Sequence, residues 1–402
     1  MSYRVITASL AAALTVFAST GPALASPQQP HTNPGHPSLS VATYNTSLNR
    51  PKAGQLIDDL RAGDQQAKNI AAVIQHNNPD VILLNEFDYD DQHEGLELFK
   101  HNYLEVSQRG QQPVTYQYSF TAPVNTGVQS GFDLNGNGKL GDPDDAWGFG
   151  MHPGQYGMVV LSKKPIKTQD IRTFQNLKWA DMPDNHMPRY YYDQVAPGAA
   201  DQLRLSSKSH WDVPIEAGGK PIHLLVSHPT PPAFDGPEKR NAKRNQDEIR
   251  VFADYISGGH RAKWLVDDQG RHGGLGQGQD FVFLGDQNSD PQDGDNHGET
   301  GMGQILGLDR GCDTLPTSDG AVWAAAHQPG NETHLNPPQY DTGDFSDPKP
   351  GNLRTDYVLP SCSFQASDAH VFWPAPGEEF SDIMNDKDTS DHHLVKVTLQ
   401  RR

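Results

Sequence analysis

The sequence predicts an α/β layered domain, and three observations carry that prediction. Short apolar runs, each ending in a polar residue, recur along the chain. Stretches with helical spacing of apolar residues stand between some of them. Long polar loops separate the rest, in a chain with 38 Gly and 31 Pro among 402 residues. Strands alternating with helices and loops fold as layers of helix on sheet. Because strand signals resume after every loop, residues 38–402 read as one domain with large loops rather than several domains on linkers.

Each element has its own local reason. Leu39 to Tyr44 alternates as a strand and stops at Asn45. Asp64 is placed to cap a helix whose Ile70, Val73 and Ile74 share one face, and Asn77-Asn78-Pro79 stops it. Val81 to Leu84 is a buried-strand pattern that runs into Asn85-Glu86. Gly157 to Ser162 follows, then Ile222 to Ser227 ending at His228, and Phe281 to Gly285 ending at Asp286. Between the last two, Glu238 to Ile256 has the spacing of an amphipathic helix. Thr355 to Leu359 and the alternating Val395, Val397 and Leu399 complete the series. Thr121–Tyr156, Lys167–Gly219, Asp268–Asp280 and Gln328–Asn352 are expected as insertions.

The N-terminus has the pattern of an export signal over residues 1–25. Arg4 is followed by the apolar Val5 to Ala18, and Ala23-Leu24-Ala25 offers a small-residue cleavage site. Residues 26–37 then read as a flexible, Pro-rich tail. The expected mature protein is secreted and monomeric. It carries no stable membrane anchor, because no later apolar run reaches the roughly 18 residues of a span. Loss of Arg4, the only charged residue of that segment, takes the net charge from −18 to −19. Such acidity repels polyanions and argues against non-specific nucleic-acid binding. Lys239-Arg240 with Lys243-Arg244 is the best basic cluster, and it reads first as a solvated helix face.

The polar strand ends form a chemically coherent set: Asn45, Glu86, His228, Asp286, Asn288, Asp356, Asp391 and His392. Hard oxygen ligands hold a magnesium-like ion, which neutralises phosphate charge and lowers the pKa of a water. A carboxylate–imidazole pair can activate that water, and amide and imidazole donors stabilise phosphoryl oxygens. In chain order the pieces are TYN (Thr43 to Asn45), NPDVILLNE (Asn78 to Glu86), SHPTPP (Ser227 to Pro232), GDQNSDP (Gly285 to Pro291), RTDYVL (Arg354 to Leu359) and SDHH (Ser390 to His393). This series resembles the endonuclease/exonuclease/phosphatase superfamily from about Leu39 to Leu399.

The resemblance implies a four-layer α/β sandwich with two packed mixed β-sheets flanked by helices. It implies Mg2+ or Mn2+ at the catalytic site, with Glu86 as principal ligand and Asn45 and Asp391 close to the ion. Asp286 would orient the attacking water, and Asn288 would hold a phosphoryl oxygen. His392 would be the general base or a phosphate-binding imidazolium, oriented by Asp356. His228 would contact the phosphate on the leaving-group side. Lys208 and His210, in the loop before the His228 strand, are candidate substrate contacts, whereas His393 opens the last strand and reads as structural.

Two features stand apart from this set. Asp133, Asn135, Asn137, Lys139 and Asp144 fall at positions 1, 3, 5, 7 and 12 of a calcium loop, with Gly138 at the sharp turn. Asp at position 12 and few acidic ligands predict weak Ca2+ binding. Cys312 and Cys362 are the only cysteines, and a disulfide between them is expected outside the cytoplasm. The leading function is a secreted, metal-dependent phosphoesterase acting on small or lipid-linked phosphoesters. An extracellular nuclease is the alternative, and a non-catalytic binding module is a further one.

Overall fold

A computed structural model of the chain describes residues 38–298 and 301–402. The expected export signal and tail, residues 1–37, lie outside the described residues. Among the described residues thirteen strands form: β1 Leu39–Asn45, β2 Val81–Asn85, β3 Tyr118–Phe120, β4 Met158–Ser162, β5 Arg172–Thr173, β6 His210–Ile215, β7 Ile222–Ser227, β8 Asp280–Asp286, β9 Gly343–Asp344, β10 Asn352–Leu353, β11 Asp356–Pro360, β12 Phe364–Phe372 and β13 Leu394–Arg401. One sheet has the order β12-β13-β1-β2-β4-β3, a second β11-β8-β7-β6-β5, and β9 with β10 makes a short ribbon.

Both large sheets are mixed, and each has one parallel pair near its centre. These pairs are β1 with β2, in register Val41 to Val81, and β7 with β8, in register Leu224 to Val282. A parallel pair requires a crossover connection. Helices Gln55–Ala62 and Gln65–Asn77 supply the first, and Arg240–Ser257 supplies the second. Asp64 caps its helix as expected, its carboxylate accepting the Ala67 N–H at 2.7 Å. Asn78 ends that helix in a left-handed conformation (φ 43°), and Pro79 follows.

Strand alternation sorts the apolar residues into layers. Val41, Val81 and Leu83 of one sheet meet Leu224, Val226, Val282 and Leu284 of the other in a shared core. On the reverse face, Ala42, Tyr44, Ile82 and Leu84 pack on Ile70, Val73 and Ile74. Leu225, Phe281 and Phe283 pack likewise on Ile249 and Phe252. The result is helix, sheet, sheet, helix, the expected four-layer sandwich. Among the described residues no helix is long and apolar enough to cross a membrane.

Six strands escaped the sequence reading: the short β3, β5, β9 and β10, of two or three residues each, and the longer β6 and β12. β6 lies inside the expected Lys167–Gly219 insertion because Asp212 and Pro214 break its apolar pattern. Asp212 is buried there by pairing with His223 Nδ1 at 2.8 Å. β12 is a polar edge strand whose register shifts between Ser367 and His370, which hides its alternation.

Candidate active site

Parallel strands gather functional groups at their carboxyl ends. Here β1, β2, β7 and β8 end at or just before Asn45, Glu86, His228 and Asp286, and those ends converge. Asn45 Nδ2 donates to Glu86 Oε1 at 3.2 Å and to Asp286 Oδ2 at 3.0 Å, joining the two sheets. His228 Nε2 lies 3.3 Å from the same Asp286 oxygen. This close meeting depends on Gly285 (φ 133°), where a Cβ would stand 2.1 Å from the Ser227 carbonyl oxygen. Glu86 and Asn288 both take left-handed backbone, with φ 58° and 50°. Such turns are rare for residues with side chains and collect at functional sites.

From the strand β11 and the segment before β13 come Asp356 and His392. His392 Nδ1 lies 2.8 Å from Asp356 Oδ2, and its Nε2 lies 3.6 Å from Asp286 Oδ2. Asp391 Oδ1 stands 4.0 Å from that same Nε2. Ligand atoms of Asp286, Asp356 and His392 all fall within 4.8 Å of one another. They are better described as a carboxylate–imidazole–carboxylate chain than as an open metal triad. Asp356 Oδ2 already accepts from Thr342 Oγ1 and Thr355 Oγ1, as well as facing the imidazole. Glu86 is the more open oxygen ligand, held by the Asn45 amide and by Asn49 Nδ2 at 2.9 Å. Its carboxylate, the neighbouring Asp286 carboxylate and the Asn45 amide make a hard, oxygen-rich set that fits a magnesium-like ion.

The electrostatics follow from this crowding. Burial pushes the Asp286 carboxyl up, but His392, His228 and the Asn45 amide outweigh it and hold the group below the ordinary carboxylate range. Burial pulls His392 down, yet Asp356, Asp286 and Asp391 together raise it well above an ordinary imidazole. Asp356 is raised, chiefly by complete burial, against the pull of His392.

Not every expected contact reaches the cluster. Asn288 does sit beside it, its N–H donating to Asp286 Oδ1 at 2.8 Å and its amide to the Pro229 carbonyl at 3.1 Å. Lys208 is buried, and its side chain makes no hydrogen bond or ion pair with the described residues; burial lowers its pKa against the opposing pull of Glu248, Glu86 and Asp286. His210 corrects the expectation. Its Nδ1 meets Ser206 Oγ at 2.6 Å and its Nε2 the Glu248 carbonyl at 2.8 Å, so both nitrogens are occupied inside the core. Burial lowers its pKa to about 4, so it holds the fold as a neutral ring. His393 is also buried, stacked on Trp373 with ring centres 3.8 Å apart.

Several supporting residues were missed in the sequence. Ser390 Oγ donates to the Asn45 carbonyl at 2.8 Å and accepts the His392 N–H at 3.1 Å, tying the His392 segment to β1. Its place in the SDHH piece could have marked it. Asn85 Oδ1 accepts the Asp286 N–H at 3.1 Å. Thr342 carried no local signal at all. Arg244, singled out for its charge, instead pins loops by donating to the Leu205, Trp147 and Arg204 carbonyls. Arg240 turns to Glu238 and to the Tyr191 hydroxyl.

In the Asp133–Asp144 segment, Asp133 accepts the Asn137 and Gly138 N–H groups at 3.1 and 2.7 Å. Asn135 and Asn137 turn their amides to Asp142, and Asp144 faces Arg240 at 3.9 Å. Asp145, outside the expected set, anchors the loop by accepting the Leu134 and Gly141 N–H groups. Cys312 and Cys362 form a disulfide with Cα atoms 5.1 Å apart.

A mixed-sheet sandwich with this polar cluster at one end defines a class of phosphoester hydrolase, and comparison with known proteins makes the family explicit. Residues 42–392 match the model of the endonuclease/exonuclease/phosphatase family. The chain belongs to that family, whose members are metal-dependent phosphoric ester hydrolases, and it is an enzyme of that kind. Among solved structures, an endonuclease/exonuclease/phosphatase from Beutenbergia cavernae superposes with a TM-score of 0.50 at 16% identity, covering 90% of this chain and 72% of that one. Sphingomyelinase C from Streptomyces griseocarneus gives 0.41 at 17%, covering 90% and 99%. A Staphylococcus aureus beta toxin with bound magnesium ions gives 0.43 at 14%, covering 91% and 100%. No curated protein matches the sequence.

Proposed function

We propose that this chain is a secreted phosphoesterase that hydrolyses small or lipid-linked phosphoesters, using Mg2+ or Mn2+ held by Glu86 and Asn45 with Asp391 nearby. The observation that carries the reading is the meeting of Asn45, Glu86, His228, Asp286, Asp356 and His392 at the ends of two parallel strand pairs. When bound, the ion would neutralise phosphate charge and lower the pKa of a water. His392 Nε2 takes the proton of the attacking water, while Asp356 keeps Nδ1 protonated and the ring in place. Asp286 orients that water. Asn288 and His228 donate to the phosphoryl oxygens as the leaving alkoxide departs, and Lys208 adds a positive charge to the pocket.

A lipid-linked substrate is favoured by the surface around this end. Phe149, Met151 and Phe234 are 51%, 58% and 92% exposed. The first two lie on the loop whose Gln155 donates to the Arg50 carbonyl, one residue from the Asn49 that holds Glu86. Phe234 lies on the loop that leaves His228. Glu248 joins the second loop to Ser207 by accepting from the Ser207 and Thr230 N–H groups, and the Ser207 carbonyl approaches Gly148, next to Phe149 on the first loop. Three large apolar side chains on two loops suit an interface between water and acyl chains. The net charge of −18, with Arg240 and Arg244 occupied internally, disfavours a duplex. Export is supported by the Cys312–Cys362 disulfide and by the residue 1–25 pattern. Weak Ca2+ binding at Asp133, Asn135, Asn137, Lys139 and Asp144 belongs to the same extracellular reading.

The test is kcat/KM for plasmid DNA, RNA, a phosphodiester reporter, phosphomonoesters and a phospholipid dispersion at matched salt and metal, with and without chelator. Chelator-sensitive turnover of the small or lipid esters is expected to exceed that of DNA. Efficient plasmid degradation with negligible activity on the others would replace this reading with the nuclease.

A further inference from the structure

We propose a second metal site, for a borderline transition-metal ion such as Zn2+, formed by His186 and His297 against the helix Arg240–Ser257. Asp247 of that helix is fully buried, and its carboxylate is shared between three donors. It accepts from Trp179 Nε1 at 2.6 Å, from the His186 backbone N–H at 2.7 Å and faces His186 Nδ1 at 2.7 Å. That contact fixes the tautomer: the proton sits on Nδ1, and Nε2 keeps its lone pair. A buried carboxylate on one imidazole nitrogen is the usual backing of a metal-binding histidine, because it sets the ring's angle and raises its basicity. Nothing in the phosphoesterase chemistry uses this pair.

The second ring is positioned as a partner ligand. His297 meets His186 edge-on, with ring centres 5.5 Å apart and planes at 71°. With metal–nitrogen bonds of about 2.0–2.1 Å and ring centres about 1.1 Å further out, two imidazoles on one tetrahedral ion have centres about 5 Å apart. The observed spacing lies within about 0.5 Å of that value, so the two rings can share an ion once their free nitrogens turn to a common point. Burial, Lys243 and His186 lower the His297 pKa, which leaves its lone pair available at neutral pH. Neither ring has another hydrogen-bond partner on its free nitrogen among the described residues. Lys243 adds an opposing positive charge, and the Asp247 carboxylate offsets it. Two nitrogen ligands with water in the remaining positions select Zn2+, Ni2+ or Cu2+ over Mg2+, which prefers oxygen.

The experiment is a ZnCl2 titration of the chelator-stripped full chain in saturating Mg2+, read by calorimetry and by melting temperature. The wild type and the Glu86→Ala variant should both bind one Zn2+ that His297→Ala and His186→Ala lose, with at least a tenfold fall in affinity. Asp247→Asn should weaken the same binding about 10–100-fold. His297 lies on a loop, so its variant reports on the site even if Asp247→Asn unfolds. Equal Zn2+ stoichiometry and affinity in wild type and His297→Ala would overturn the proposal, as would a wild type whose Zn2+ disappears with Glu86→Ala.

Discussion

His392 Nδ1 and Asp356 Oδ2 lie 2.8 Å apart, both groups buried and 36 residues distant in the chain. The contact leaves only His392 Nε2 to face Asp286 and the space where water would react. A buried carboxylate that fixes one imidazole nitrogen turns a histidine into a directional base. Removing either the proposed base or the proposed metal ligand therefore tests the chemistry. His392→Ala and Glu86→Ala should each keep the fold by circular dichroism while losing roughly 10²–10⁴-fold in kcat/KM. Near wild-type turnover in either variant would remove that residue from the mechanism.

The same contact sets a pH dependence. Asp356, Asp286 and Asp391 stabilise the protonated ring and raise its pKa well above the ordinary value. As a base the ring must be neutral, so kcat/KM should rise with pH along a limb displaced upward. Asp356→Asn removes one of the three charges and should move that limb to lower pH while also lowering kcat. Measured pH–rate profiles of the two proteins decide this. A limb that stays in place would mean another group titrates.

Stability should respond to pH through a different histidine. His210 is buried as a neutral ring with a folded pKa of about 4, against an ordinary value of 6.5. The unfolded chain then binds more protons between those values, so stability is present above pH 6.5 and lost as pH falls towards 4. The contribution is on the order of 3 kcal/mol. His393, lowered well below its ordinary range by burial, has the same sign. Urea unfolding at pH 7.5 and pH 5 should show the loss, and His210→Gln should be less stable at pH 7.5 but flatter in slope. An equal slope would assign the acid sensitivity elsewhere.

Calcium should raise the melting temperature by mass action if it binds the Asp133–Asp144 loop. Asp133→Ala should abolish that rise and leave the catalytic metal requirement untouched. A rise that persists in the variant would place the bound calcium elsewhere.

The Cys312–Cys362 disulfide closes a loop with a sequence separation of 50. Alanine at either position should lower stability by roughly 3–4 kcal/mol, through the freedom restored to the unfolded chain. Activity per folded molecule should be unchanged, because among the described residues Cys312 and Cys362 bond to Pro360 and Arg310 rather than to the proposed catalytic cluster. Denaturant midpoints and active-site titration measure the two effects separately.

Much of this protein was legible in its sequence because the relevant physics is local. Leu39 to Tyr44 alternates, and Val81 to Leu84 and Phe281 to Leu284 are apolar on both faces, the pattern of strands buried between layers. Asp64 and Asn78 bracket a helix by capping chemistry that acts within a turn. The polar residues just after each strand stand out because a buried strand has little other reason to end in Asn, Glu, His or Asp. What the tertiary structure alone decided is which of those residues meet. His228 read as a catalytic strand end and His210 as a candidate substrate contact in a loop, but packing against the helix Arg240–Ser257 enclosed His210 and left His228 beside Asp286. Thr342, 14 residues from Asp356, became its hydrogen-bond donor only through a fold-back that no nearby residue announces. Arg240 and Arg244 read as a basic face until the loops they hold came into place. Propensity and capping depend on neighbours in the chain, and they survive being read one segment at a time. Partnership depends on distances between segments, which are fixed only when two sheets close on a common core.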